Sequence, residues 1–197
     1  IVNKGLGYDM ADVGIVTNIT EDHLGIDNIN TLEDLAYVKS LVAEAVKEDG
    51  YAVLNADDQY CLSMRERIKS GIILFSQSIE NKAVRDHVLC GGTAIYSDRD
   101  TIFINKGGKE MPFIEIKAIP ATMSGVLKYN VSNSMAAIAG AIGMGVPAEK
   151  IVSGLSTFGS DSVSNPGRFN IYEIGGIKVV LDYGHNIDGY RAVIDAL

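Results

Sequence analysis

The sequence has 197 residues, of which 47% are hydrophobic and 21% charged, and its formal net charge is -8. This composition is typical of a soluble globular protein. The negative charge disfavours nucleic acid or an anionic membrane as a partner, because both need a basic face. The sequence contains no run of about 18 apolar residues, so no transmembrane helix is predicted. Cys61 and Cys90 lack CxxC spacing, which disfavours zinc or disulfides and favours a reducing cytoplasm.

The two ends indicate a part of a longer protein. The first residue is Ile1 rather than Met, and the sequence stops at "GYRAVIDAL", inside an amphipathic helical pattern without a stop signal. We therefore expect some residues needed for function to lie outside this sequence.

The first half alternates between strand and helix patterns. The apolar run "DVGIVTNI" predicts a buried strand, and "TLEDLAYVKSLVAEAVKED" predicts a helix that begins with a capping box of Thr31 and Asp34 and ends before Gly50. A second strand follows at 51–55, a helix at 57–70 and a third strand at 71–76. This alternation predicts a doubly wound, mainly parallel α/β sheet.

The second half begins with short β-rich runs at 91–120, which predict an antiparallel meander of three strands. A helix rich in small residues should start near Asn130–Asn133, and another at Pro147. The Ser-rich segment 160–168 is typical of a linker. It places a domain boundary at about residue 166. Residues 1–166 then form one domain, and 167–197, which contain a predicted strand pair and a helix, begin another.

Glu21, Asp22 and His23 directly follow the first predicted strand. In open α/β sheets, ligands bind beyond the carboxyl ends of the strands, so this cluster lies where a site is expected. An ordinary polar turn is the alternative. Magnesium normally takes oxygen ligands, which makes an imidazole ligand unusual.

Lys39 falls in the middle of the apolar stripe of its helix, which Leu32, Leu35, Val42 and Val46 define. A lysine in that position must either extend its amine to water or point into a site. In a site, a desolvated lysine amine is nucleophilic and can react with carbon dioxide.

Other polar residues stand at the predicted ends of elements. "NADD" (55–58) favours an N-cap in which Asp57 opens the next helix. Asn130 and Asn133 either cap their helix or read the edge of a base, since an amide both donates and accepts.

The predicted linker and the segment behind the strand pair add further candidates. Arg168 has no packing role in a linker, and its guanidinium suits a phosphate. Asp182 ends a strand, where it suits ribose hydroxyls, and His185 and Asn186 open the next turn. No GxxxxGK[ST] phosphate loop occurs, because Glu110 follows Gly108-Lys109.

The ordered set "TNITEDHLG", Lys39, "VLNADD", "NVSNSMAAIA", "NPGRF" and "DYGHN" resembles the Mur ligase superfamily, over essentially the whole sequence. The resemblance implies the later part of the central ATPase domain and the start of a Rossmann-like C-terminal domain. It also implies an ATP-dependent ligase that joins an amine to a carboxylate through an acyl phosphate. The similarity is strongest to the branch that makes cyanophycin, by adding arginine to the aspartate side chains of a polyaspartate backbone.

The resemblance also implies roles for the candidate residues. His23 matches the histidine that binds Mg²⁺ near the γ-phosphate of ATP, and Lys39 matches a lysine that is often carbamylated and can then join the magnesium shell. The other matches lie on the nucleotide: Asn133, with Asn130, at adenine, Arg168 at the hinge, and Asp182 at the ribose or hinge, with His185 and Asn186 nearby.

Several expectations about the complete protein follow from the resemblance. We expect arginine and an acidic polypeptide as substrates, ATP and Mg²⁺ as cofactors, a homo-oligomer and a cytoplasmic location. The isolated 197 residues should be inactive because they lack the phosphate loop. The alternatives are a peptidoglycan or folylpolyglutamate ligase, or a non-catalytic nucleotide-binding module.

Overall fold

The computed structural model describes residues 5–21, 24, 25 and 27–197. A six-stranded sheet forms its centre, with the strands side by side in chain order. The strands are β1 (Ala11–Val16), β2 (Val46–Asn55), β3 (Gly71–Ser76), β4 (Thr93–Asp98), β5 (Thr101–Lys106) and β6 (Lys109–Glu115). The first four strands are parallel, and β5 and β6 add to them antiparallel. The predicted mainly parallel α/β sheet is confirmed.

Helices cover both faces of this sheet. The helices α1 (Leu32–Glu44), α2 (Gln59–Ser63) and α3 (Lys82–Leu89) connect the parallel strands and share one apolar core with them. The opposite face packs against α4 (Lys128–Gly143) and α5 (Ala148–Thr157). Alternate β2 and β3 residues enter the two cores, because successive side chains of a strand point to opposite faces.

A smaller unit follows the sheet. The strands β7 (Asn170–Ile174) and β8 (Ile177–Leu181) form an antiparallel hairpin, and α6 (Ile187–Asp195) comes after it. The predicted strand pair and helix are thus present. Within the described part of the chain, no helix is both long and apolar enough to cross a membrane.

The first helix is shorter than predicted. Its capping box is present, because the Thr31 side chain accepts a hydrogen bond from the Asp34 backbone N–H. The helix nevertheless ends at Glu44. Val46 is buried in strand β2 and pairs with Ala11, so its place in the apolar stripe reflects strand packing. The 57–70 helix prediction was also too long: α2 ends at Ser63, and a short 3-10 turn follows it.

The predicted antiparallel meander is present as β4, β5 and β6, and β4 also pairs parallel with β3. Two other expectations need correction. Helix α4 begins at Lys128, so Asn130 and Asn133 lie inside it and do not cap it. The cap of α2 is Asp58, not Asp57: the Asp58 carboxylate accepts from two backbone N–H groups of the first turn.

Candidate functional site

A cleft of about 300 Å³ lies between the carboxyl edge of the sheet and the unit made of β7, β8 and α6. This is the edge at which open α/β sheets bind ligands. The cleft brings together six residues predicted from the sequence: Lys39, Asn133, Arg168, Asp182, His185 and Asn186. Asn130 does not line it, and His23 lies outside the described residues. Residues that are far apart in the sequence therefore line one cleft.

The "NADD" segment holds the loop that follows β1. The Asn55 amide donates to the Thr17 carbonyl oxygen over 2.8 Å, and an Asp58 carboxylate oxygen accepts from the Ile19 N–H over 2.7 Å. Asn18, which lies between Thr17 and Ile19, and Thr20, which follows Ile19, line the cleft. The segment thus both caps α2 and positions one wall of the cleft.

The same segment also reaches the loop after β3. The Asp57 carboxylate accepts from the Ser76 hydroxyl over 2.6 Å and from the Gln77 N–H over 2.7 Å. The Gln77 side chain then donates to the Lys128 carbonyl oxygen over 3.3 Å, in the first turn of α4. A chain of hydrogen bonds therefore connects the ends of β2 and β3 to the start of the helix that forms another wall.

Lys39 is half-buried at the edge of the buried face of α1. Leu35 and Ala43, four residues before and after it, are almost fully buried, so the helical stripe predicted from the sequence is the face that packs. Lys39 lines the cleft. That the Lys39 amine acts in a site, and does not merely extend to water, stays a prediction.

The two asparagines of α4 differ in their surroundings. Asn130 is buried, and its amide donates to the Ala121 carbonyl oxygen over 2.7 Å, which ties α4 to the preceding turn. The Asn133 amide donates to the Asn130 side-chain oxygen over 3.3 Å and lies at the cleft. Asn133 can thus contact a ligand, and the buried Asn130 holds the Asn133 side chain by a hydrogen bond.

Tyr129 also lines the cleft, and sequence reasoning missed it. Its hydroxyl oxygen is buried and has no hydrogen-bond partner among the described residues. Burial, and then the negative charge of Asp182, raise the pKa of Tyr129 to about 12. A buried, neutral hydroxyl without a partner is costly unless a polar ligand satisfies it, so the cleft wall fits a polar ligand.

Asp182 fixes the backbone on either side of the β7–β8 hairpin. One of its carboxylate oxygens accepts from the Phe169 N–H over 2.9 Å and the other from the Gly184 N–H over 2.7 Å. Phe169 is buried with φ of 51°, a conformation that costs energy in a non-glycine residue. Asp182 thus joins the start of β7 to the segment behind β8.

Asn170, which the sequence analysis did not single out, orders the predicted linker. It is buried, and its amide donates to the carbonyl oxygens of Ser160 over 2.7 Å and Asn165 over 3.0 Å. Its side-chain oxygen accepts from the Gly167 N–H over 2.7 Å. The segment in front of Arg168 is consequently a folded turn.

Arg168 supplies a cation at the cleft. Its guanidinium carbon lies 5.3 Å from the centre of the Tyr183 ring, and the Tyr183 and His185 rings are 5.2 Å apart. Within the described residues Arg168 forms no ion pair with a carboxylate. An exposed guanidinium held by an aromatic face is suited to an anionic ligand.

Asn186 has a structural task as well as a place in the cleft. Its side-chain oxygen accepts from the Gly189 N–H over 2.7 Å and so caps α6. A ring nitrogen of His185 lies 3.2 Å from the Tyr183 carbonyl oxygen. No group of three or more His, Cys, Asp or Glu residues that could hold a metal ion occurs in the part of the chain that the structure describes.

The fold and the cleft define a class of protein, and a family comparison identifies it. Residues 7–141 match the Mur ligase middle domain, and the chain belongs to this family. Cyanophycin synthetase of Crocosphaera subtropica is 39% identical over 193 residues, which cover 98% of this chain and 22% of that protein. The chain thus spans about a fifth of the length of this relative.

More distant proteins are similar to the chain as well. UDP-N-acetylmuramate–L-alanine ligase of Clostridium novyi is 28% identical over 185 residues, covering 93% of this chain and 36% of that protein. The structure of MurF ligase from Thermotoga maritima in complex with ADP matches with a TM-score of 0.61 at 17% identity, over 95% of this chain and 39% of that one. This structural match confirms the fold predicted from the motifs.

Proposed function

We propose that the complete protein containing this chain is an ATP-dependent ligase of the cyanophycin synthetase type, which joins an amine to a carboxylate through an acyl phosphate. The 39% identity over 98% of the chain carries the proposal. The cleft supports it, because it gathers a lysine, an asparagine and an arginine from three different segments at the carboxyl edge of the sheet.

We assign the nucleotide to this cleft. The unpartnered Tyr129 hydroxyl and the Arg168 guanidinium suit its polar and anionic parts, and Asn133 suits the adenine. Bound there, ATP would supply the phosphoryl group that activates a carboxylate. Asp182 would orient the nucleotide indirectly, since both of its oxygens already hold the hinge backbone. Asn186 and His185 would shape the wall on the side of α6.

Magnesium is part of the proposal only through His23 and a carbamylated Lys39. Among the described residues no group of three or more His, Cys, Asp or Glu could hold a metal ion, so the proposed site depends on these two residues. The Lys39 amine at the cleft would serve the transferring phosphoryl group either as a cation or, once carbamylated, as an anionic group that binds a cation.

The proposal extends to substrates and organisation. We assign arginine as the amine and an acidic polypeptide as the acceptor, in a cytoplasmic homo-oligomer. Residues 1–166 would belong to the central ATP-binding domain and 167–197 to the start of the C-terminal domain. The described turn between Ser160 and Asn170 supports a boundary there, because it is held by hydrogen bonds and contains no helix or strand.

The test is phosphate release by the full-length protein. We expect ATP-dependent release with a polyaspartate acceptor that rises when arginine is added, and no release from residues 1–197 alone. UDP-N-acetylmuramate with L-alanine serves as the matched control, because a relative 28% identical over most of the chain uses them by name. Release with this pair but not with polyaspartate and arginine would replace the proposal by a peptidoglycan ligase. Nucleotide binding without release under any pair would favour the non-catalytic module.

A further inference from the structure

The Tyr129 hydroxyl is the one buried side-chain nitrogen or oxygen without a hydrogen-bond partner within the described residues. Such a group is rare in folded proteins, because a buried hydroxyl gives up its hydrogen bonds to water. Tyr129 also lines the cleft to which we assign the nucleotide. Its hydroxyl therefore calls for a partner that the described protein does not supply.

The position of Tyr129 on α4 indicates which part of a ligand it meets. Tyr129 and Asn133 are four residues apart on the same helix, and both line the cleft. Residues at this spacing lie one turn apart on the same face. A ligand that contacts Asn133 therefore lies against the same face of α4 that carries Tyr129.

The charges around Tyr129 indicate the chemistry of that group. Asp182 and Arg168, which both line the cleft, act on the hydroxyl in opposite directions, and burial keeps the pKa of Tyr129 high, at about 12. The hydroxyl is thus neutral at physiological pH and can both donate and accept. A neutral donor and acceptor suits a base or a ribose, while the Arg168 cation suits phosphates.

We propose that the Tyr129 hydroxyl binds the nucleoside part of the nucleotide and contributes to the choice of nucleotide over bare phosphate. This inference rests on the proposed function and adds a binding residue that the family motifs did not indicate. Tyr129 is a binding residue in this account and takes no part in bond making.

The test compares Tyr129→Phe with wild type in the full-length protein, by calorimetric titration with ADP and, separately, with tripolyphosphate. We expect ADP to bind about 2- to 10-fold more weakly to the variant, the range for one neutral hydrogen bond. Tripolyphosphate should bind both proteins equally. Without nucleotide the variant should unfold at the same temperature as wild type or higher, since it loses a hydroxyl that had no partner.

Tyr96→Phe is the matched control. The Tyr96 hydroxyl is buried in the sheet and donates to the Glu110 carboxylate. Its loss should lower the unfolding temperature and leave ADP binding unchanged, the reverse of Tyr129→Phe. Equal ADP affinity of wild type and Tyr129→Phe would overturn the inference, as would a lower unfolding temperature of the variant without nucleotide. A wild type that binds no ADP at all would refute the proposed function, and this inference with it.

Discussion

At the scale of residues, Lys39 carries the sharpest claim. The sequence placed a lysine in an apolar helical stripe, and the structure places it at the edge of the buried face of α1, on the cleft. The resemblance assigns it a carbamate, which arginine cannot form in its place. A guanidinium and an amine thus differ here in chemistry and not only in shape.

We expect Lys39→Ala to lower the kcat of the full-length protein in the proposed reaction about 100-fold or more, the cost of removing one charge-stabilising group at a phosphoryl or acyl centre. Bicarbonate should not restore the rate, and Lys39→Arg should be similarly impaired. Lys47→Ala is the control, because Lys47 is also a partly exposed lysine but pairs with Asp12 away from the cleft. Steady-state kinetics with arginine decide the matter, and a full rate for Lys39→Arg would exclude carbamylation.

Residue types revealed part of the cleft and left part hidden. Lys39 and Arg168 were predicted because a charge in an apolar stripe and a guanidinium in a linker lack a simple packing role. Asn133 was predicted because its amide can both donate and accept, and because its motif resembles that of the Mur ligases. Tyr129 was missed because a tyrosine near a helix start fits ordinary packing. Only the three-dimensional contacts show that its hydroxyl has no partner in the described protein.

At the scale of elements, α1 packs unusually close to β1. A Cβ atom added to Gly14 would lie 2.4 Å from the Val42 carbonyl oxygen of α1. This clash is with a backbone atom, which cannot move away at a low energetic cost. Glycine at this position thus lets helix and strand approach each other. Since α1 carries Lys39, this packing also sets the distance of the lysine from the sheet.

We expect Gly14→Ala to lower the free energy of unfolding by about 1–3 kcal/mol, the usual cost of overpacking. Gly154→Ala in α5 is the matched control: nothing lies within 4 Å of an added Cβ there, and alanine favours a helix over glycine by up to about 1 kcal/mol. Denaturant unfolding of both variants measures the difference. Equal stabilities of Gly14→Ala and wild type would show that α1 does not pack as described.

Strand patterns predicted the sheet well because β-branched, apolar runs are needed wherever a parallel strand is buried on both faces. Helix ends were predicted less well. Val46 fits both the stripe of α1 and the buried face of β2, and its pairing with Ala11 decides for the strand. The choice of Asp58 over Asp57 as the cap depends on the contact of Asp57 with the loop after β3, which local sequence does not contain.

At the scale of the whole molecule, the cleft lies between the sheet and the unit of β7, β8 and α6, and hydrogen bonds order the segment that joins them. Asp182 links Phe169 to Gly184, and Asn170 folds the segment in front of Arg168. The predicted linker is therefore an ordered turn in this structure. Its sequence predicted polarity and turns, whereas the strained φ of Phe169 and the pairing with Asp182 arise from contacts between distant segments.

The central claim is that this cleft binds the nucleotide of an amide-forming ligase. The structure of the full-length protein with a non-hydrolysable ATP analogue tests it most directly. We predict the adenosine in the cleft, in contact with Asn133 and the Tyr129 hydroxyl, and the phosphates on the side of Arg168. An analogue bound elsewhere, with the cleft walls unchanged and free of nucleotide, would contradict the account.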